Sequence, residues 1–457
     1  MDVGFETIGN ATLIVHDNGP VLVTDPWIKE SAYFGSWTRA HEIPEEQMDA
    51  IMRSEYVWLS HGHPDHLSMA SLRLLKGKKI LLADHVGGRI AGDLRRLGFQ
   101  VSVLKDRTWT RLSPRINVVC HSDYNQDSLL LVDVNGTLVV DLNDMTPKGW
   151  GPFVQKTVRK YKQNVLLQGF GYGDADMINF VDEAGEQIDP PKATGDPIGQ
   201  AITRVAHTYG DKYAVPFSSL HRFQRSDSVW TMRYSAPLED YKIGFNSERS
   251  ELLPAYLSYD LAADDIREIN PPATAETIFE PHEFGDDWSE PLDKDESEAV
   301  QNYFAPVSHL SKAMDFINVR VGGQDNIVEL GEKNFDKGIV FEVPRHSLMR
   351  AIRYEIFDDL LIGNFMRTRL VGKWPKSMLY PDFIPYLAKY ADNGRAKTRQ
   401  ELRDYFGEYR SRAPLDFFRH RLQDRTARAV KSRIDADSEA YRLAQKSWWF
   451  IRRHLGA

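Results

Sequence analysis

Apolar, β-branched runs broken by Asn-Gly pairs dominate the first third of the chain. Ala11-Thr12-Leu13-Ile14-Val15-His16 and Val21-Leu22-Val23-Thr24 flank Asp17-Asn18-Gly19-Pro20. Such a pattern predicts a β-hairpin, because Asn-Gly accepts the positive φ of a twist-matched turn. Asp25-Pro26-Trp27 ends the second strand, since proline cannot donate to the ladder. Residues 44–52 start with acids and read as a short helix. Tyr56-Val57-Trp58-Leu59 is a buried strand. Helical spacing follows over 68–75 and 88–97, with a strand at 79–83 between them. Residues 118–120, 128–134 and 137–140 are further strands, the last two joined by Asn135-Gly136. Hairpins followed by alternating strands and helices predict an α/β sandwich with mixed sheets, not a doubly wound parallel sheet.

Beyond residue 262 the pattern changes. Asn270-Pro271-Pro272, Pro281 and Pro291 lie among many acids and leave little to bury. Residues 246–298 are therefore expected as a linker or surface excursion between a first part, 1–245, and a last, 299–457. Residues 347–366 and 398–455 have helical patterning, so the last part is expected to be mainly helical. Trp448, Trp449 and Phe450 read as packing residues, since a surface-lying anchor needs a broad apolar face.

Composition narrows the chemistry. The 457 residues are 42% hydrophobic and 27% charged, and no run nears the roughly 18 apolar residues of a membrane span. The first nine residues lack the basic start and apolar core of a signal peptide. The lone Cys120 excludes an intrachain disulfide and suits a reducing cytoplasm. It also excludes an iron–sulfur cluster or all-cysteine zinc site built from this chain alone. Net charge is -8, unevenly spread: residues 391–457 carry +7 and the rest -15. An acidic body argues against nucleic-acid binding, and the basic end reads as a solvated helical face. Metal chemistry is left to the 14 histidines and the carboxylates.

The densest such cluster is His61-Gly62-His63-Pro64-Asp65-His66, directly after the 56–59 strand. Four donors in six residues, on a Gly-Pro turn at a strand end, can share one cleft. Imidazoles suit zinc or iron and the carboxylate suits a harder ion. The segment resembles the His-x-His-x-Asp-His signature of the metallo-β-lactamase superfamily, over roughly residues 1–245. The resemblance implies an αββα sandwich with two metal ions. His61 and His63 would hold one with a third histidine, best matched by His121, with His85 the alternative. Asp65 and His66 would hold the second with a late histidine, best matched by His221, with His207 the alternative. An aspartate would bridge both: Asp144, with Asp141 the runner-up. Asp25, Asp123 and Asp141 are candidates to orient ligands. Arg222 and Arg225 are expected to be exposed unless they meet an anionic substrate.

Three more segments resemble one branch of that superfamily, typified by CMP-N-acetylneuraminate hydroxylase. They are Thr24-Asp25-Pro26-Trp27 with Tyr33-Phe34-Gly35-Ser36-Trp37, then Asp144-Met145-Thr146-Pro147, then Ala214-Val215-Pro216-Phe217. Phe341-Glu342-Val343-Pro344 and Leu361-Ile362-Gly363-Asn364 extend the likeness. That branch carries a Rieske cluster needing two cysteines, which this chain does not have. The resemblance thus implies a diiron oxygenase acting on a small substrate, with electrons from a separate donor. The alternative is a zinc or manganese hydrolase cleaving a phosphodiester, lactone or amide, with Asp65 and Asp144 as catalytic carboxylates. A metal-stabilised scaffold is the third reading. Trp27, Tyr33, Phe34 and Trp37 would wall the cleft in the oxygenase.

Overall fold

Asn18 and Asn135 both adopt left-handed φ, 56° and 51°, at the two turns where Asn-Gly predicts hairpins. The computed structural model describes residues 1–123, 127–145, 150–169, 178–190, 197–210, 212–307, 310–331, 335–372, 374 and 398–431. Thr146, Pro147, residues 391–397 and residues 432–457, with Trp448, Trp449 and Phe450, lie outside them.

The chain opens with β1 (Val3–Ile8), β2 (Thr12–Asp17) and β3 (Pro20–Thr24), an antiparallel run. A short β4 (Trp37–Arg39) and helix α1 (Glu45–Arg53) precede β5 (Tyr56–Leu59). Helix α2 (Met69–Leu74), capped by the Ser68 hydroxyl, leads to β6 (Lys79–Ala83), and α3 (Arg89–Arg96) to β7 (Gln100–Leu104). A second sheet begins with β8 (Thr110–Arg111), β9 (Ile116–Ser122), β10 (Ser128–Val134) and β11 (Thr137–Asn143). It continues through α4 (Gly151–Val158), β12 (Gln163–Gln168), β13 (Phe180–Val181), α5 (Ile198–Tyr209), β14 (Tyr213–Pro216) and β15 (His221–Phe223). β13 and β15 leave it to join smaller sheets.

Two large sheets face each other. The first has the order β1-β2-β3-β5-β6-β7 plus two later strands at its β1 edge, and the second runs β14-β12-β11-β10-β9-β8 plus one later edge strand. Period-two alternation fills three layers. Trp58, Leu81, Cys120, Leu130, Val132 and Val139 pack between the sheets. Val57, Leu59, Ile80 and Leu82 turn outward against Ile51, Leu72 and Leu94 of the first helices. Val119, Leu129, Leu131 and Val140 turn the other way against Val154, Ile202 and Val205. Helix, sheet, sheet, helix is the αββα layering of the metallo-β-lactamase-like fold, and both sheets are mixed.

The stretch expected as a linker is partly sheet. β16 (Glu251–Leu252) pairs in parallel with β14, and β17 (Leu257–Asp260) with β18 (Asp265–Glu268) extends the first sheet beyond β1. Leu257 and Tyr259 alternate into the core, a period that the prolines downstream obscured. The C-terminal region is partly helical, and it also carries a five-stranded sheet. Helix α6 (Lys294–Phe304) is followed by β19 (Phe316–Val321), β20 (Gln324–Glu329) and β21 (Gly338–Glu342). Then come α7 (Arg345–Tyr354), α8 (Asp358–Ile362), β22 (Arg367–Val371), α9 (Arg399–Arg412) and α10 (Pro414–Lys431). The sheet order is β13-β22-β21-β19-β20, over a separate core of Val300, Phe304, Ile317, Val319, Ile339, Phe341 and Leu360. Gly322-Gly323, both at positive φ, close the β19–β20 hairpin. That Gly-Gly turn between β-branched runs is the signal the helical expectation passed over. Among the described residues, no helix is long and apolar enough to cross a membrane.

Candidate metal centre

At the end of β5 the chain turns sharply, with the amides of His66 and Leu67 both donating to the His63 carbonyl at 3.0 and 2.7 Å. The turn is anchored by Asp25, at the end of the neighbouring β3, which is fully buried. Its carboxylate accepts from the Ser60 amide at 2.8 Å, the Ser60 hydroxyl at 2.6 Å and Asn143 Nδ2 at 2.6 Å, and lies 3.1 Å from His66 Nδ1. Asp25 therefore ties β3, β5 and β11 together behind the histidines.

This network sets tautomers. The Ser60 hydroxyl donates its one proton to Asp25, so toward His61 Nδ1, 2.9 Å away, its oxygen accepts. His61 then carries its proton on Nδ1 and turns a bare Nε2 forward, 2.8 Å from His63 Nδ1. His66 likewise faces Asp25 through Nδ1. Its Nε2 lies 3.1 Å from Asp144 Oδ2 and 3.2 Å from Asp65 Oδ2, buried and in hydrogen-bond alignment with neither. His61 Nε2 is 4.0 Å from the same Asp144 oxygen. His61, His66 and Asp144 thus converge in a group able to hold a metal ion.

The local field favours positive charge. Burial pushes His66 down, but Asp65, Asp144 and Asp25 outweigh it and hold the imidazole well above its ordinary pKa. Burial raises Asp65 and Asp144, yet His66 wins at both: Asp65 stays well below the carboxylate range and Asp144 falls to about 2. Burial and the neighbouring His66 and His63 drive His61 well below its usual value. Asp65 is fixed by the Tyr33 hydroxyl at 2.6 Å and Asn10 Nδ2 at 2.8 Å. Burial and the charges of Asp65 and Asp359 keep that phenol protonated.

The other sequence candidates divide. His221 stacks on Trp37 at 3.4 Å and 4°, and its buried Nδ1 has no hydrogen-bond partner. Burial holds it neutral at about 4, against the opposing pull of Asp65 and Asp144. His121 joins neither group of donors. Its Nδ1 is 2.7 Å from Asp106, its ring faces Arg107, and with Asp123 it lines a cavity under α10. Its neighbours Val118 and Cys120 alternate inward and Val119 outward, so strand parity puts His121 on the outer side with Phe153. His85, the alternative, is instead close enough to depress His61. Its Nε2 is buried without a hydrogen-bond partner, and burial holds it at about 4. Asp144 rather than Asp141 reaches the histidines. Burial and the nearby Asp25 charge hold the Asp141 carboxyl well above its normal pKa. His207 bonds Ser247 at 2.7 Å on α5. Arg225, expected to be exposed, is fully buried because Asp227, Asp286 and the Phe34 carbonyl take its donors. Half-buried Arg222 pairs with Glu276 at 3.1 Å.

A second group was not foreseen. His63 Nε2 lies 3.3 Å from Asp358 Oδ2, and His63, Asp358 and Asp359 together could hold a metal ion. Both aspartates begin α8 and are only 4% and 5% exposed. Their signal was two adjacent acids inside the apolar run Ile356-Phe357-Asp358-Asp359-Leu360-Leu361.

No family model matches the chain. It is 26% identical over 134 residues to the cytidine monophosphate-N-acetylneuraminic acid hydroxylase of Danio rerio, covering 27% of this chain and 23% of that protein. It is 24% identical over 144 residues to the inactive human counterpart, covering 30% of this chain and 29% of that one. The matches thus span under a third of these relatives. Among solved structures, a CmlA β-hydroxylase variant aligns with 48% of this chain and 46% of its own at 17% identity and TM-score 0.32. A metal-dependent hydrolase of Parabacteroides distasonis aligns with 55% and 91% at 12% identity and TM-score 0.32. The αββα assignment rests on the strand order and the three core layers of this chain.

Proposed function

We propose that this chain is a diiron oxygenase that hydroxylates a small polar or nucleotide-linked substrate, with electrons from a separate donor. One observation carries the metal reading. The buried nitrogens His66 Nε2 and His221 Nδ1 have no hydrogen-bond partner, and both imidazoles feel the charges of Asp65 and Asp144. An unpartnered buried polar atom calls for an explanation, and a bound ion supplies one that also suits the carboxylates beside these imidazoles. Ligands would be His61, His63, Asp65, His66, Asp144 and His221, while His121 is expected to be dispensable. The mixture of imidazoles and carboxylates suits iron as well as zinc, and sequence similarity to the hydroxylases supports the oxygenase reading.

When bound, the two ions supply dioxygen activation, placing one oxygen in the substrate and releasing the other as water with two electrons and two protons from the donor. The protein's share is positioning. Asp25 and Ser60 fix imidazole tautomers, Tyr33 and Asn10 aim Asp65, and Trp37 shields His221 from water. Asp144, about a third exposed at 34% of its side chain, is the carboxylate open to the cleft.

Purification from iron-rich and zinc-rich cultures, followed by metal analysis and visible spectra with dithionite and O₂, tests this. Two irons per chain and an O₂-sensitive spectrum are expected. Tight zinc alone, with phosphodiesterase, lactonase or amidase turnover, would replace the oxygenase by a dinuclear hydrolase.

A further inference from the structure

The C-terminal region brings carboxylates to the edge of the centre. Helix α8 belongs to the small five-stranded-sheet region, with Leu360 and Leu361 buried in its core, yet Asp358 reaches His63, 295 residues earlier. Asp358 Oδ1 is buried without a hydrogen-bond partner while Oδ2 faces His63. The negative charge of Asp359 is felt at Tyr33, together with those of Asp65 and Asp144.

Charge makes the point sharper. Metal binding requires unprotonated imidazoles; once His66 has given up its proton, Asp65, Asp144, Asp358 and Asp359 place four carboxylates, three of them 2–5% exposed, around His61, His63 and His66. Leaving buried carboxylates uncompensated is strongly unfavourable. One divalent ion at His61, His66 and Asp144 balances two charges, and a second at His63, Asp358 and Asp359 balances the others. The donor type agrees, since two carboxylates and an imidazole suit a hard or borderline ion such as Mn²⁺ or Fe²⁺.

We propose that Asp358 and Asp359, with His63, are ligands of the second metal ion, so that the ion bridges the sandwich and the C-terminal sheet. This rests on the dinuclear reading above and adds ligands that the superfamily signature does not contain.

The test is anaerobic Mn²⁺ titration of the full metal-free chain, read by equilibrium dialysis and thermal melting. Variants are Asp358→Asn, Asp359→Asn, their double and His66→Ala, each checked for fold by far-UV circular dichroism. The wild type is expected to bind two ions. The double Asn variant should bind one, losing at least 100-fold in affinity at the second site. His66→Ala should lose the other ion and keep the one at His63. Two ions bound by the double variant with less than that 100-fold loss at the second site would overturn the ligand assignment and make Asp358 only a positioning partner of His63. One ion in the wild type, lost in the double variant but kept in His66→Ala, would uphold this inference and defeat the dinuclear reading. One ion with the opposite pattern, or none at all, would overturn the inference.

Discussion

Asp25 shows how one side chain organises a centre without facing the cleft. Four groups converge on its carboxylate, among them Ser60 and His66. Groups of this kind typically set metal affinity by 10–100-fold. Asp25→Asn should therefore keep the fold but weaken metal binding by about 10–100-fold, read by competition with a chelator dye. Glu6 offers a cleaner pH readout, away from the centre. Burial raises its pKa, but hydrogen bonds from His16 and Gln47, at 2.8 Å each, win and depress it below 4.5. A depressed carboxylate adds stability above its unfolded pKa and loses it as pH falls through the folded value. Wild type should thus out-melt Glu6→Gln at pH 7, with the gap closing below about pH 4.5. A gap that is constant with pH would refute the ionised network.

At the scale of elements, the loop before β4 stores strain next to the centre. Tyr33, Phe34 and Gly35 run consecutively at φ of 49°, 57° and 87°, a conformation two of them adopt only under constraint. Arg225 donates to the Phe34 carbonyl and Gln224 to that of Gly35, and the bend delivers the Tyr33 hydroxyl to Asp65. Asp25, Asn143, Ser218 and Asn364 also lie at positive φ, so such residues gather around the site, as functional strain does. A Cβ on Gly35 would sit 2.3 Å from the Phe284 ring. Gly35→Ala should lower stability by about 1–2 kcal/mol from backbone alone, seen as a lower denaturant midpoint, and should loosen Tyr33. Elements of this kind were only partly legible. The hairpins and β5 follow from Asn-Gly turns and local periodicity, and the histidine run from sheer density. The β19–β22 sheet was hidden because its short two-residue periods lie beside the longer helical patterning of 347–366 and 398–431. His121 stands apart from the other donors because a motif gives sequence order, whereas strand parity decides the side.

Across the whole molecule, the donors come from distant stretches that tertiary packing alone assembles. Asp358 lies 295 residues from His63, so no local signal links them. If the two regions share ions, metal becomes part of the interface between them. Stripping it with a chelator should lower the melting temperature and raise hydrogen exchange in β21 and β22 as well as in the β5 turn. Restoring free metal to about 100 times its Kd should return about 2.7 kcal/mol. Exchange confined to the β5 turn would show that the C-terminal sheet is held independently.

Cys120 sits in the layer between the two large sheets with none of its surface accessible. Burial and nearby acids push its thiol pKa up, so the folded chain shows thiol reagents almost no nucleophile. Alkylation must wait for the sandwich to open, and its rate is a built-in clock for that opening. A cysteine introduced at exposed Leu422 would by contrast be open to the reagent, giving a single reactive site for a dye or spin label on α10 without removing Cys120.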